Sequence, residues 1–135
     1  MAIRYENFSP DKEAFFELFE TTGWNVKYGF TADELAKAVN NSYFIVCAYS
    51  GLKLIGTGRI ISDGVYQTLI GDMIVHPDYQ QQGIGSEILT ALIEKCRQDG
   101  MKQIHLTSAK GKMDFYKKFG FEARPADAAG MQKYL

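Results

Sequence analysis

The stretch Asp72-Met73-Ile74-Val75-His76-Pro77-Asp78-Tyr79-Gln80-Gln81-Gln82-Gly83-Ile84-Gly85-Ser86 holds the residue types and spacing best suited to chemistry. An apolar run passes into a loop with two glycines, and the loop opens onto a helical pattern. The first turn of a helix leaves several backbone N–H groups without partners, and the helix dipole adds partial positive charge there. Glycines let a ligand come close to the backbone. Such a turn is an anion site suited to a diphosphate. Three phosphate-binding classes compete for it. A dinucleotide fingerprint needs a third glycine where this chain has Ile88. A Walker loop needs Ser or Thr after Gly111-Lys112, where Met113 stands, and a first glycine where Leu106 stands. What remains is Gln-x-x-Gly-x-Gly, Gln80 to Gly85. By itself this pattern is also compatible with a plain turn.

The elements that must position this loop follow from hydrophobic spacing and turn residues. Residues 2–8 alternate as a short strand. Ser9-Pro10-Asp11 starts a helix with Pro10 near its first turn, Phe15, Leu18 and Phe19 repeat at helical spacing, and Gly23 stops it. The loop from Thr22 to Thr31 bears Trp24, Tyr28 and Phe30. Thr31 with Glu34 forms a capping box for a second helix with Leu35 and Val39 on its buried side. Three strands then follow as an antiparallel meander, Tyr43–Tyr49, Leu54–Ile61 and Val65–Val75. The helix after the glycine loop carries Ile84, Ile88, Leu92 and Cys96 on one stripe, widened by Leu89 and Ile93. A strand over Gln103–Thr107, a short helix over Met113–Phe119 and a closing strand over Met131–Leu135 complete the order. The fold class is α/β: one mixed sheet with helices on both faces, in a single domain of residues 1–135.

Composition agrees. The chain has 135 residues, 46% hydrophobic and 13% aromatic, too apolar for a disordered segment. Its longest apolar run, Tyr43 to Tyr49, is far shorter than the ~20 residues of a membrane span. The net charge of −1 excludes the overall basic field of a general nucleic-acid binder. Residues 1–100 carry 8 Lys/Arg against 13 Asp/Glu, and residues 101–135 carry 7 against 3. That division suits a ligand with phosphates at one end and an amine at the other, or simply two solvated surfaces. Cys47 and Cys96, the only cysteines, read as buried free thiols. Glu6 and Asp11 interrupt the start and no apolar signal core follows, so the chain is placed in the cytosol. No metal-ligand cluster and no Ser/His/Asp or Cys/His nucleophile arrangement is recognisable.

Two segments then carry a resemblance. Val75-His76-Pro77-Asp78-Tyr79-Gln80-Gln81-Gln82-Gly83-Ile84-Gly85 and Phe115-Tyr116-Lys117-Lys118-Phe119-Gly120-Phe121 occur in the order and at the separation of the GCN5-related N-acetyltransferase (GNAT) superfamily. The sequence resembles that family over most of its length. The resemblance implies a mostly antiparallel sheet of six to seven strands, with a V-shaped splay between the fourth and fifth. It implies acetyl-CoA as cosubstrate. Backbone N–H groups from Gln81 through Gln82, Gly83, Ile84 and Gly85 to Ser86, with Gln80 heading the motif, would hold the diphosphate. The pantetheine arm would lie along Met73, Ile74 and Val75, pairing like an extra strand with Met73 and Val75, and Gly71 is compatible with the family's bulge. Ser108 matches a polar position near the pantetheine, and Lys110 and Lys112 can approach the phosphates.

Acetyl transfer to an amine needs a base for the amine, a donor for the oxyanion and a proton for the departing thiolate. Tyr116 stands where the family has its acid tyrosine, a position that also suits plain packing beside Phe115 and Phe119. By the same analogy the Val75 N–H is the oxyanion donor. The family's strand glutamate is missing: Leu69 and Gly71 stand nearest, and Asp72, the one carboxylate there, reads better as a structural, hydrogen-bonded group. His105, which could reach the acceptor side, reads better as a satisfied, partly buried histidine, and His76 reads as structural or near the cofactor, leaving a base acting through water. Trp24, Tyr28 and Phe30 either wall an apolar amine pocket or cap the core. The expected function is direct acetyl transfer to a primary amine, on a small molecule or a peptide, without a covalent intermediate. The alternative is an acetyl-CoA-binding sensor or partner-binding module with little turnover. No nucleic acid or membrane is expected as partner, and the exposed edges of such a sheet allow a homodimer.

Overall fold

In a computed structural model, which describes residues 2–135, the chain divides into two compact units, one ending at His105 and the other running from Leu106 to Leu135. The first unit is built on a four-stranded antiparallel sheet in the order β1 (Ile3–Glu6), β2 (Phe44–Ser50), β3 (Lys53–Ser62) and β4 (Thr68–Val75). Helices α1 (Lys12–Glu20), α2 (Ala32–Asn40) and α3 (Ile84–Gln98) belong to this unit.

Local chemistry sets the helix starts. The Asp11 carboxylate accepts from the N–H groups of Glu13 and Ala14, each at 3.1 Å, so Asp11 caps α1 and Pro10 lies just outside it. Thr31 and Glu34 form the expected capping box on α2, with bonds of 2.9 and 3.1 Å. The sheet is buried on both faces. Phe15, Leu18 and Phe19 of α1 with Leu35 and Val39 of α2 cluster with Ile45, Cys47, Leu54 and Ile74. On the opposite face α3 buries Ile84, Ile88, Leu89, Leu92 and Cys96, each Leu or Ile contributing roughly 1.5–3 kcal/mol on leaving water.

Gly56 and Gly58 of β3 let α3 approach the sheet. A Cβ on Gly58 would lie 2.6 Å from Met73 Sδ, 2.7 Å from Ile88 Cγ2 and 2.9 Å from Leu92 Cδ1. Gly58→Ala is therefore expected to destabilise the fold by about 1–3 kcal/mol through overpacking, visible as a lower midpoint in denaturant unfolding; an unchanged midpoint would contradict this packing.

Several expectations are corrected. The sheet has four strands among the described residues, not six to seven. The segment Gln103–Thr107 makes a single parallel bridge, His105 to Leu69, with Ile70 N donating to His105 O and His105 N to Thr68 O at 2.9 Å each. β4 then bulges, its twist changes, and no ladder continues. Met131–Leu135 forms no strand: no neighbouring strand supplies it with a ladder of main-chain bonds, and Met131 and Leu135 are fully exposed. β4 begins at Thr68 rather than Val65 because the Asp63 carboxylate captures the N–H groups of Val65, Tyr66 and Gln67 at 2.8, 2.7 and 3.2 Å, holding them in a turn. β1 is likewise shorter than residues 2–8, its pairing ending at Glu6 opposite Cys47.

The second unit contains α4 (Met113–Lys117) and a 3-10 turn at Ala126–Ala128.

Candidate active site

The register of β4 decides which of its amides are available. Leu69 and Gly71 pair with Ile61 and Arg59 of β3, while Thr68 and Ile70 turn their polar groups outward, to His105. Gly71 pairs with Arg59 and Ile74 with Thr57, so Asp72 and Met73 together oppose the single residue Gly58. The bulge lies at Asp72-Met73, one residue beyond Gly71. It reverses the alternation. Beyond it Ile74 faces β3, and the N–H of His76 donates to Ile55 O at 2.7 Å. Main-chain groups on alternate residues point to opposite edges of a strand, so Met73 and Val75 present theirs outward. This is the edge on which the parallel bridge with His105 has already ended.

Asp72 occupies the left-handed region at φ 52°, a conformation costing roughly 1–2 kcal/mol for an L-residue. Its carboxylate accepts from Arg59 Nε at 2.6 Å, and its carbonyl accepts from the Thr57 hydroxyl at 3.0 Å. Asp72 is thus the hydrogen-bonded structural aspartate expected from the sequence.

The loop after β4 is braced from within. His76 Nδ1 accepts from the Asp78 N–H at 3.1 Å, capping the 3-10 turn Pro77–Tyr79, and the His76 ring meets Tyr79 edge-on. The Gln80 side-chain amide donates to Val75 O at 3.0 Å. Gln80, though exposed, therefore ties the loop to the end of β4. Gln81 and Gly83 are left-handed at φ 62° and 82°. Gly83 caps α3 without a side-chain hydrogen bond, and a Cβ built on it would meet open space.

Among the described residues, no backbone N–H from Gln81 to Ser86 donates to another protein group. The intrahelical ladder begins with Glu87 N on Gly83 O at 3.0 Å. Six consecutive amides without protein partners thus lie at the positive end of a fifteen-residue helix, an arrangement able to hold an anion. Ile84 is buried and supplies only its main chain; Gln81, Gln82 and Gly83 are exposed. The arrangement fits a diphosphate: its N–H groups have no protein partners and Gly83 faces open space, the carboxylate of the helix's first turn being the exposed Glu87, one residue past Ser86.

In the second unit, the Tyr116 ring is buried, meeting Phe115 edge-on at 5.1 Å and Phe121 at 5.9 Å between centroids. Burial raises its pKa above the ordinary phenol value. No buried side-chain oxygen or nitrogen of the described residues lacks a hydrogen-bond partner. The Tyr116 hydroxyl makes no hydrogen bond among them, so it reaches solvent. The ring packs as the plain-packing reading expects, and the raised pKa keeps its hydroxyl protonated at neutral pH. Ser108 bonds its neighbour, Oγ to Ala109 O at 2.9 Å, and Lys110 and Lys112 are exposed.

The aromatic loop between α1 and α2 is ordered by Asn25, which is buried and bonds both N–H and C=O of Phe30 at 2.8 and 2.9 Å. Tyr28 and Phe30 stack on each other at 5.4 Å and are 54% and 40% exposed. Trp24 instead meets the core residue Phe19 edge-on at 5.9 Å. Trp24 therefore covers the core, and the other two form a surface platform.

Neither cysteine belongs to this chemistry. Cys47 is fully buried, and burial pushes its thiol up to about 12; Cys96 is raised for the same reason. Both are free. A thiol reagent at pH 8 is expected to label neither until the protein unfolds; prompt labelling of the native protein would contradict that burial. No metal-binding group of His, Cys, Asp or Glu occurs among the described residues, and no helix is long and apolar enough to cross a membrane.

Sequence reasoning missed Arg59. The available signal was a lone arginine inside the apolar run of β3, where an unpaired charge would be costly.

Known proteins share this family and fold. Residues 12–130 match the family model for the acetyltransferase (GNAT) domain. A Glycine max protein named histone acetyltransferase TAP1 is 32% identical over 128 residues, 87% of this chain and 54% of its own length. The chain thus spans about half the length of that relative. The crystal structure of a probable acetyltransferase from meticillin-resistant Staphylococcus aureus superposes with a TM-score of 0.89 at 26% identity, covering 99% of this chain and all of the other. The PaiA N-acetyltransferase of Thermoplasma acidophilum, whose structure is a complex with coenzyme A, shares the fold with a TM-score of 0.74 at 18% identity, covering 96% of this chain and 95% of that one. The chain belongs to the GNAT acetyltransferase family.

Proposed function

We propose that the protein transfers an acetyl group from acetyl-CoA directly to a primary amine on a small molecule or peptide. The observation that carries this reading is the row of six unpartnered amides from Gln81 to Ser86. In this reading they hold the diphosphate, while the outward main-chain groups of Met73 and Val75 align the pantetheine arm as an added strand. Val75 O already accepts from Gln80, so the Val75 N–H is the group left to donate to the thioester oxygen as charge develops on it. Tyr116 donates its proton to the departing sulfur, and a phenol raised by burial is fully protonated at neutral pH.

No carboxylate on β4 serves as base, because Asp72 is engaged by Arg59. The amine loses its proton to water. The Tyr28–Phe30 platform contacts the acceptor, while Trp24 packs on Phe19 of the core. The two free thiols suit a reducing compartment such as the cytosol.

The test is thiol release from acetyl-CoA with a panel of polyamines, aminosugars, aromatic amines and lysine or N-terminal peptides. Turnover with one class supports the reading. Coenzyme A binding with no turnover across the panel would favour the sensor alternative, in which the engaged Asp72 reflects a disabled acceptor side.

A further inference from the structure

We propose that Arg59 and Asp72 are a positioning pair for this reaction, ion-paired across the β4 bulge so that the outer edge presents Met73 and Val75 to the acyl arm. The inference rests on the acetyl-transfer reading above.

One inserted residue decides which amides face outward. Without Asp72 as the extra residue, the alternation set by Leu69 and Gly71 would continue. Met73 and Val75 would then bond β3, and Ile74 would face the edge. A left-handed Asp72 is the conformation that makes room for the insertion. It is held by two residues, one of which is itself anchored to α2. Arg59 Nε bonds its carboxylate at 2.6 Å, and the Thr57 hydroxyl bonds its carbonyl at 3.0 Å. Arg59 Nη1 reaches across to Ala38 O at 3.1 Å and Ser42 Oγ at 3.3 Å, at the end of α2. Ala38 O also accepts from the Asn41 N–H at 3.1 Å, and a cation is favoured at this negative end of the helix dipole. Both side chains are mostly buried, at 14% and 21% exposure, so the pair is poorly screened by solvent. It couples the helix following the aromatic loop to the strand that aligns the acyl arm.

The roles open to Asp72 separate by substitution. Asn adopts the left-handed region readily and still accepts from Arg59. Gly adopts that region freely but has no side chain to offer. Both variants keep the bulge sterically allowed, and so are expected to fold. The experiment compares Asp72→Asn, Asp72→Gly and Arg59→Met with the unaltered protein. It records kcat and KM for acetyl-CoA, coenzyme A affinity by calorimetry and the melting midpoint. Expected are a kcat within about threefold for Asp72→Asn, and falls of at least tenfold for Asp72→Gly and Arg59→Met. Coenzyme A affinity should fall less than kcat does in every variant, because the diphosphate cradle is untouched and only the pantetheine contacts change.

An equal loss for Asp72→Asn and Asp72→Gly would make Asp72 a base and overturn the proposal. So would lower melting midpoints with kcat unchanged, which would show a purely structural pair. If the unaltered protein turns over no amine, the acetyl-transfer reading fails separately. The pair is then judged by the amide resonances of Met73 and Val75 on adding acetyl-CoA. A response retained in Asp72→Asn and lost in Asp72→Gly supports positioning, and the same response in both overturns it.

Discussion

Gly83→Asp is expected to weaken coenzyme A binding at least 100-fold while leaving the protein folded. Gly83 caps α3 at φ 82°, faces open space, and lies among the amides that have no protein partner. An aspartate tolerates the left-handed region better than other residues with a side chain, and its exposed side chain clashes with nothing. Its charge would sit where the diphosphate must sit. Two like charges ~5 Å apart at an effective dielectric of about 20 repel by ~3 kcal/mol, and a 100-fold loss corresponds to about 2.7 kcal/mol. Titration calorimetry with coenzyme A measures the loss, and circular dichroism checks that the helices persist. Affinity within threefold of the unaltered protein would remove the cradle from the binding site. Gly83→Ala separates charge from backbone: it carries the left-handed cost without the repulsion, so its binding should fall much less.

Tyr116→Phe should lower kcat by 10- to 100-fold with coenzyme A affinity unchanged. The substitution keeps the ring that packs on Phe115 and Phe121 and removes only the hydroxyl. That hydroxyl has no protein partner to orphan, so stability should change little. General acid catalysis by a positioned group contributes typically ~10²–10⁴-fold, and solvent can replace part of it. The pH dependence has a defined sign. Burial raises the Tyr116 pKa, so the active, protonated phenol persists through neutral and mildly alkaline pH. The kcat profile should therefore show no descending limb from Tyr116 below about pH 10, the ordinary phenol value. A descending limb below pH 9 that disappears in Tyr116→Phe would contradict the environment described. Equal kcat in the two proteins would reject the acid role.

The parts of the fold written in local chemistry are legible in the sequence alone. Thr31 and Glu34 cap α2 because side chains three residues apart meet at a helix start. The stripe from Ile84 to Cys96 marks α3 because its spacing repeats the helix turn. The glycine loop is legible for the same reason: unpartnered amides are a property of any helix start. What depends on pairing between distant segments is not legible. Gln103–Thr107 and Met131–Leu135 have strand-like side chains, but a strand exists only where a neighbour takes its main-chain bonds, and here one bridge forms. The bulge is implied by the resemblance, with Gly71 compatible with it, yet it lies at Asp72-Met73, because its place is set by which β3 residue, Gly58, has two residues opposite it. Gln80 groups with the diphosphate cradle by motif, while its side chain turns back to Val75 O. Arg59 carries no motif, and its meaning emerges only where β3, β4 and the end of α2 meet.

The amide resonances of the cradle test the central claim most directly. In a ¹⁵N-labelled sample titrated with coenzyme A, the N–H signals of Gln81 to Ser86 should move downfield together as they begin to donate to the diphosphate. Pantetheine, which lacks that group, should leave them in place. Saturable coenzyme A binding with those six signals unmoved, or no binding by folded protein, would contradict the claim.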